Sequence, residues 1–334
     1  MSVSIRDVAR VAGVSVATVS RALGNGPVSD ALRAQVEAAV KATGYHPNLS
    51  ARRLRSQRSG TIGLVVADIR NPFFTAVAHA AEDAAYRAGL RLILCNTEED
   101  PAREAIYLGL MQEERVSGLL FAPTRLTQKE LPRQRFAYPV VLIDRTGPNS
   151  AHDSVTLDNH AAMGALIDHL VEQGYRRIGG LFGKTSNTGV ERRNGYLAGM
   201  LAHGLTPDYR EVAPSAVAAH AEATQWLARG DRPEALVTSN SLLMTGAMKA
   251  AREAGLRIPE QLALAGFDNE SWTELVEPGI TVIEQPVEEI GRTAMNLLLE
   301  RLQNPALPVR KLVLGGRCIV RGSTQARASM AGVA

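Results

Sequence analysis

The chain has 334 residues, enough for two or three domains, and its 45% apolar content supports real cores. The net charge of +3 hides an uneven distribution: residues 1–60 carry nine Lys/Arg against three Asp/Glu, and the remainder carries 28 against 31. No apolar run approaches a membrane span, no secretory signal opens the chain, and the two cysteines, Cys95 and Cys318, form neither a CxxC pair nor a disulfide framework, so a cytoplasmic setting is expected.

Residues 1–46 read as three short helices. Ile5, Val8, Ala9 and Ala12 recur at helical spacing, Gly13 ends that helix, and Ser15 caps the next. Val19, Ala22 and Leu23 line the inner face of the second helix. Ser29 caps a third, with Leu32, Val36, Ala39 and Val40 periodic, and Gly44 stops it. Helices this short do not persist alone in water. Packed together they form a helix-turn-helix, whose second helix lies in the major groove of DNA. Val16 and Ala17 lead that helix because short side chains allow close approach and can meet a thymine methyl. Thr18 and Ser20 can reach phosphate or base edges, and Arg21 can fork onto a guanine. A plain small bundle is the competing reading, but it gives the local basic charge no role.

From Asn48 to Gly60 the chain reads NLSARRLRSQRSG, a basic linker (47–60). Strand and helix then alternate. Strands are expected at 61–68, 91–96, 118–123 and 139–144, and again at 177–183, 235–240, 262–268 and 281–285. Helices between them end in Gly plus an apolar residue at Gly89-Leu90, Gly174-Tyr175, Gly204-Leu205 and Gly255-Leu256, which is C-cap chemistry. Nearly all-apolar strands fit parallel sheets covered on both faces, and two sets predict two doubly wound α/β lobes. Ligands in such sheets sit at the carboxyl ends of the strands, here marked by Asp68, Asp144, Asn240 and Asp268. An enzyme is not expected. There is no phosphate-cradling Gly-rich loop, no metal spacing and no nucleophile elbow, and the seven histidines are scattered. No cofactor or metal is therefore expected. A plain periplasmic sugar-binding protein is disfavoured by the missing signal and by the DNA-binding head.

Seven segments in order, IRDVARVAGVSVATVSRAL, VEAAVKATGYHPNLSARRLRS, IGLVVADIRNPFF, VSGLLFAP, ERRNGYLAGM, GAMKAAREAGLRIPEQLALAGFDN and TVIEQPVEEIGRTAMNLLLERL, carry a family likeness. Over essentially its whole length the chain resembles the LacI/GalR family of bacterial transcription regulators. The resemblance implies a homodimer, with a tetramer also open, that binds a palindromic operator. It also implies a periplasmic-binding-protein-like core at 61–328, an N-lobe of 61–156 plus 288–315, a C-lobe of 157–287 plus 316–328, and a tail at 329–334. It makes the linker a hinge helix formed on DNA, with Leu54 wedged into the minor groove at a central CG step and Ala51 small enough for two such helices to pack. Arg52, Arg53, Arg55 and Arg58 would meet phosphates, Arg55 also the groove, and Asn48 joins the contact set. A disordered basic linker fits the same residues when DNA is absent.

The resemblance also implies effector positions. Phe73 and Phe74 can stack on a sugar face or serve the core. Ser186, Thr188 and Arg192 occupy ligand-facing positions, Arg192 as a bidentate clamp, with Arg193 less suited. Asp144, Asn240, Asp268 and Gln285 match positions that hold hydroxyls, although each also suits a turn cap. Trp272 can cover a ligand or sit in the core. Asn240-Ser241 stands where the family commonly has Asn-Asp, and Arg145 and Lys184 add bases. Fewer acids and more bases point to an anionic effector. TSNSLL and FDNESW look like regulators of ketogluconate-type sugar acids, with a neutral sugar, sugar phosphate or purine as alternatives. Release from DNA on effector binding is the expected sign.

Overall fold

The computed structural model describes residues 3–24, 26–45, 59–147 and 149–325. The hinge positions Asn48, Ala51, Leu54 and Arg55, with Arg52, Arg53 and Arg58, lie outside the described residues, as does the tail. Two compact units divide the chain, residues 1–59 and 60–334.

The first unit holds α1 (Ile5–Val11), α2 (Val16–Leu23) and α3 (Asp30–Thr43). Val8, Ala9, Ala12, Val19, Ala22, Val36 and Ala39 make its core, as the periodicity requires. The Ser15 hydroxyl accepts the Thr18 N–H at 3.1 Å and starts α2. Two contacts without a sequence signal tie α3 to the pair. Arg33 donates to the carbonyls of Ala22 (2.7 Å) and Gly26 (3.3 Å), and Gln35 donates to that of Ala12 (2.9 Å). These side chains satisfy carbonyls left over at the ends of α1 and α2.

The second unit alternates β1 (Thr61–Val66), α4 (Pro72–Arg87), β2 (Arg91–Asn96), α5 (Pro101–Glu113), β3 (Gly118–Phe121), α6 (Arg125–Glu130), β4 (Val140–Ile143) and β5 (Asp153–Leu157). It continues with α7 (Asn159–Glu172), β6 (Ile178–Gly183), α8 (Asn187–Ala202), β7 (Asp208–Val212), α9 (Ala216–Leu227), β8 (Ala235–Thr238), α10 (Ser241–Glu253) and β9 (Ala263–Phe267). It ends with α11 (Ser271–Leu275), β10 (Thr281–Glu284), α12 (Val287–Gln303), β11 (Lys311–Leu314) and β12 (Arg317–Ile319). One sheet runs β2-β1-β3-β4-β5-β11, all parallel; the other runs β7-β6-β8-β9-β10-β12, parallel except for the antiparallel edge strand β12. Each sheet is covered on both faces by apolar clusters. The strand order reverses between β1 and β3 in one sheet and between β6 and β8 in the other. These are the switch points where open α/β sheets take ligands. Three connections, after β5, β10 and β11, carry the chain between the lobes.

The eight expected strands are present, each one or two residues shorter than expected or of equal length. β5, β7, β11 and β12 were not anticipated. β7, β11 and β12 lie at sheet edges with one side in solvent, and β5 opens on a buried Asp-Ser, so none shows a continuous apolar run. The Gly-apolar pairs end their helices as read. At α7, Gly174 takes φ +91°, and the Tyr175 N–H bonds back to the Leu170 carbonyl at 3.1 Å.

Candidate functional site

Two surfaces carry the chemistry, one on each unit. On the head, the outer side of α2 exposes Val16, Ala17 and Arg21, while Thr18 and Ser20 are half-buried. The Thr18 hydroxyl also lies 2.8 Å from that of Ser15, so it is shared with the cap. The Arg21 Nε–H reaches only weakly to the Ala17 carbonyl, at 3.5 Å. α2 thus presents two small apolar groups and a long cation on one side, and buries Val19 and Ala22 on the other. That arrangement suits entry into a groove of DNA.

In the larger unit, a small cavity of about 40 Å³ lies between the carboxyl ends of the two sheets. Phe73, Phe74, Asp144, Arg145, Ser186, Thr188, Arg192, Asn240 and Gln285 line it, joined by Asp68, Asn71, Glu99 and Ser239. A larger groove of about 690 Å³ lies beside it and shares Phe73 and Gln285. Its wall is acidic, with Asp268, Glu270, Glu284, Glu288 and Glu289 against Arg292 alone. The smaller cavity holds the guanidiniums and is the candidate ligand site.

Three helices start at this cavity. Asn71 caps α4 by accepting the Phe73 N–H (3.1 Å), Ser186 caps α8 by accepting that of Gly189 (3.0 Å), and Asn240 caps α10 by accepting that of Leu243 (2.9 Å). Their positive ends converge on the space between the lobes. Phe73 and Phe74 belong to both readings: they pack edge-to-face in the core, with centroids 5.1 Å apart, and also line the cavity.

The two arginines of the cavity are held differently. Arg145 donates to Asp144 (2.8 Å) and Glu99 (2.7 Å). Burial works against its charge, but these two carboxylates outweigh it and hold the guanidinium protonated beyond its ordinary range. Arg192, only 4% exposed, donates Nε–H to the Asn159 side-chain oxygen (2.7 Å) and Nη1–H to the Ser239 carbonyl (2.5 Å). It stacks 3.9 Å from the Phe267 ring centroid. Every one of these partners is uncharged. Burial pushes its pKa below the ordinary arginine value, against the pull of Asp268, Asp144 and Glu191.

Asp268, expected among the effector residues, lies outside the wall of the small cavity. It accepts the Ser241 N–H (2.9 Å) and a Gln285 amide N–H (2.6 Å), and lines the larger groove. Asp144 and Asp268 both take left-handed φ, +64° and +79°, which turns these strand-end carboxylates sharply at the cleft. Gln285 Oε1 and Ser241 Oγ are buried without a partner, an unusual state for native polar atoms.

Three expectations change. Trp272 packs on the core around α10 and β9 and lines neither cavity. Lys184 is exposed and outside the cavity wall; its carbonyl accepts from Arg125 Nη1 at 3.0 Å and its N–H donates to the Val212 carbonyl at 2.9 Å. The surplus of bases is therefore absent: Asp68, Glu99 and Asp144 stand against Arg145 and Arg192. Arg193 points elsewhere, to Glu211 at 2.8 Å. The sequence reading missed Glu99, which lies three residues beyond the end of β2 at Asn96, past the positions a strand-end rule marks. It also missed Asn159, 33 residues from Arg192 and joined to it only by the tertiary fold, and Glu191, adjacent to Arg192 but held by Asn159 and Asn187.

Residues 4–48 match the bacterial regulatory proteins of the lacI family, and residues 167–324 match the periplasmic binding protein-like domain. The HTH-type transcriptional regulator PtxS of Pseudomonas plecoglossicida is 37% identical over 333 residues, covering 97% of this chain and 96% of that protein. The HTH-type transcriptional repressor PurR of Photobacterium profundum is 34% identical over 333 residues, covering 93% and 98%. Among solved structures, the Lac repressor dimer bound to operator and the anti-inducer ONPF matches with a TM-score of 0.88 at 25% identity, covering 98% of this chain and 100% of that one.

Proposed function

The chain belongs to the LacI family of bacterial regulatory proteins and is a DNA-binding transcriptional regulator; from that premise we propose that it binds a palindromic operator as a homodimer and is released from it by a sugar acid held in the cleft. The observation that carries the effector class is Arg192. Buried charges are normally paired, and this guanidinium has only neutral hydrogen-bond partners. A ligand carboxylate supplies the missing counter-ion. The three helix N-termini favour the same sign of charge. Gln285 Oε1 offers an acceptor to a sugar hydroxyl, and Phe73 and Phe74 offer apolar faces to the ring. Linkage sets the size of the response: an effector that binds one arrangement of the lobes better shifts the operator-binding state, by roughly 1–3 kcal/mol of coupling, and release is the sign expected for a sugar acid that induces its own use.

Calorimetry of the full chain tests the effector class. The ligands are D-gluconate and 2-keto-D-gluconate, with D-glucose and D-fructose as neutral counterparts. Arg192→Ala should cost the bound acid about 1.5–3 kcal/mol more than its neutral counterpart, the worth of a hydrogen bond to a charged group. Equal losses for both would mean that Arg192 holds hydroxyls, and the acid would have to be abandoned.

A further inference from the structure

Asn159 opens α7 in the C-lobe and is 2% exposed. Its two amide ends are assigned by their partners. Arg192 Nε is donor-only, so the oxygen faces it at 2.7 Å. The amide nitrogen donates to Glu191 Oε2 at 2.8 Å, and Glu191 Oε1 takes a second N–H from Asn187 at 2.9 Å. A neutral amide thus stands between the buried guanidinium and its neighbouring carboxylate. The other carboxylates near Arg192 are engaged: Asp144 with Arg145, and Asp268 with Ser241 and Gln285. Burial also pushes the Glu191 carboxyl above its ordinary range, which weakens it further as a counter-charge.

We propose that Asn159 is the specificity-determining residue for effector charge: because position 159 offers Arg192 an uncharged acceptor, the guanidinium keeps its charge for a ligand anion, and a carboxylate at this position would neutralise it and admit neutral sugars instead. This rests on the sugar-acid reading above. Asn159 acts through Arg192, not by ligand contact, and does not line the cavity. Asn159→Asp replaces the N–H given to Glu191 with an oxygen, so the Glu191 carboxyl, already raised above its ordinary range, takes up a proton to bridge the pair. Residue 159 is the first residue of α7, just after the cap Asp158, where an acidic side chain is compatible with the helix dipole.

The experiment is calorimetry of the full chain with the same four ligands, on the parent, Asn159→Asp and Asn159→Ser, each checked for an unchanged circular dichroism spectrum. The parent should prefer an acid to its neutral counterpart. Asn159→Asp should weaken the acid roughly ten- to a hundredfold and leave the neutral sugar within a few-fold, so the preference collapses or inverts. Asn159→Ser keeps an uncharged acceptor and should keep the acid preference, although both affinities fall as Arg192 loosens. A parent without preference overturns the effector reading and this proposal with it. A parent with preference and an Asn159→Asp variant that retains it overturns this proposal alone. An Asn159→Ser variant that loses the preference overturns it too, since charge would then not be the cause.

Discussion

His169, near the end of α7, sits half-buried with its Nε2 2.8 Å from the Thr324 hydroxyl. Burial pushes its pKa below the ordinary value of 6.5. A base with a depressed folded pKa stabilises the fold above its unfolded pKa, and that contribution is lost as pH falls through the folded value. The larger unit should therefore lose stability on acidification below about pH 6.5, and His169→Gln should flatten that part of the profile. Thermal melts of parent and variant between pH 7.5 and 5.5 check this; parallel profiles would show that His169 does not titrate in the transition. The same residue-scale physics explains which parts of the site were legible. Asp144 and Asn240 stand at strand ends, where a strand-end rule finds them, whereas Gln285 and Arg192, the latter in the second turn of α8, are marked only by the family resemblance. What charge each keeps is not written locally. Arg145 counted as a free base in the sequence, but Glu99, 46 residues away, takes that charge up. Trp272 has no local mark separating a ligand cover from a core side chain, and its packing decided for the core.

At the scale of elements, α8 carries Arg192 and must lie close against α7, which carries Asn159. Gly195 permits this: a Cβ there would come within 2.5 Å of the His160 carbonyl oxygen, and backbone cannot yield as a flexible side chain does. Gly195→Ala should push α8 outward and weaken effector binding on the order of tenfold, since charge-assisted bonds depend steeply on geometry, while operator binding by the head is kept. Calorimetry beside a gel shift separates the two, and unchanged effector affinity would show that α8 tolerates the shift. Apolar runs made most central strands readable, because a strand covered on both faces is apolar throughout, but β5, paired on both sides, escaped because it opens on a buried Asp-Ser. Edge strands escaped for a different reason. β7 (DYREV) and β12 (RCI) are paired on one side only and need few apolar residues.

For the whole molecule, function requires that the cleft and the DNA-binding head belong to one equilibrium. The basic excess of residues 1–60 requires that operator affinity fall steeply with salt, as phosphate contacts release counterions. The chain passes between the lobes three times, which ties the two sheets to each other. The most direct test is a fluorescence-anisotropy titration of the full chain against a palindromic operator with a central CG step, at fixed salt, with and without the tightest-binding sugar acid. Specific binding in the absence of the acid, and an affinity lowered roughly 5- to 150-fold in its presence, is the expected result. An operator affinity that stays the same at saturating acid, or that equals the affinity for scrambled DNA, would contradict the account.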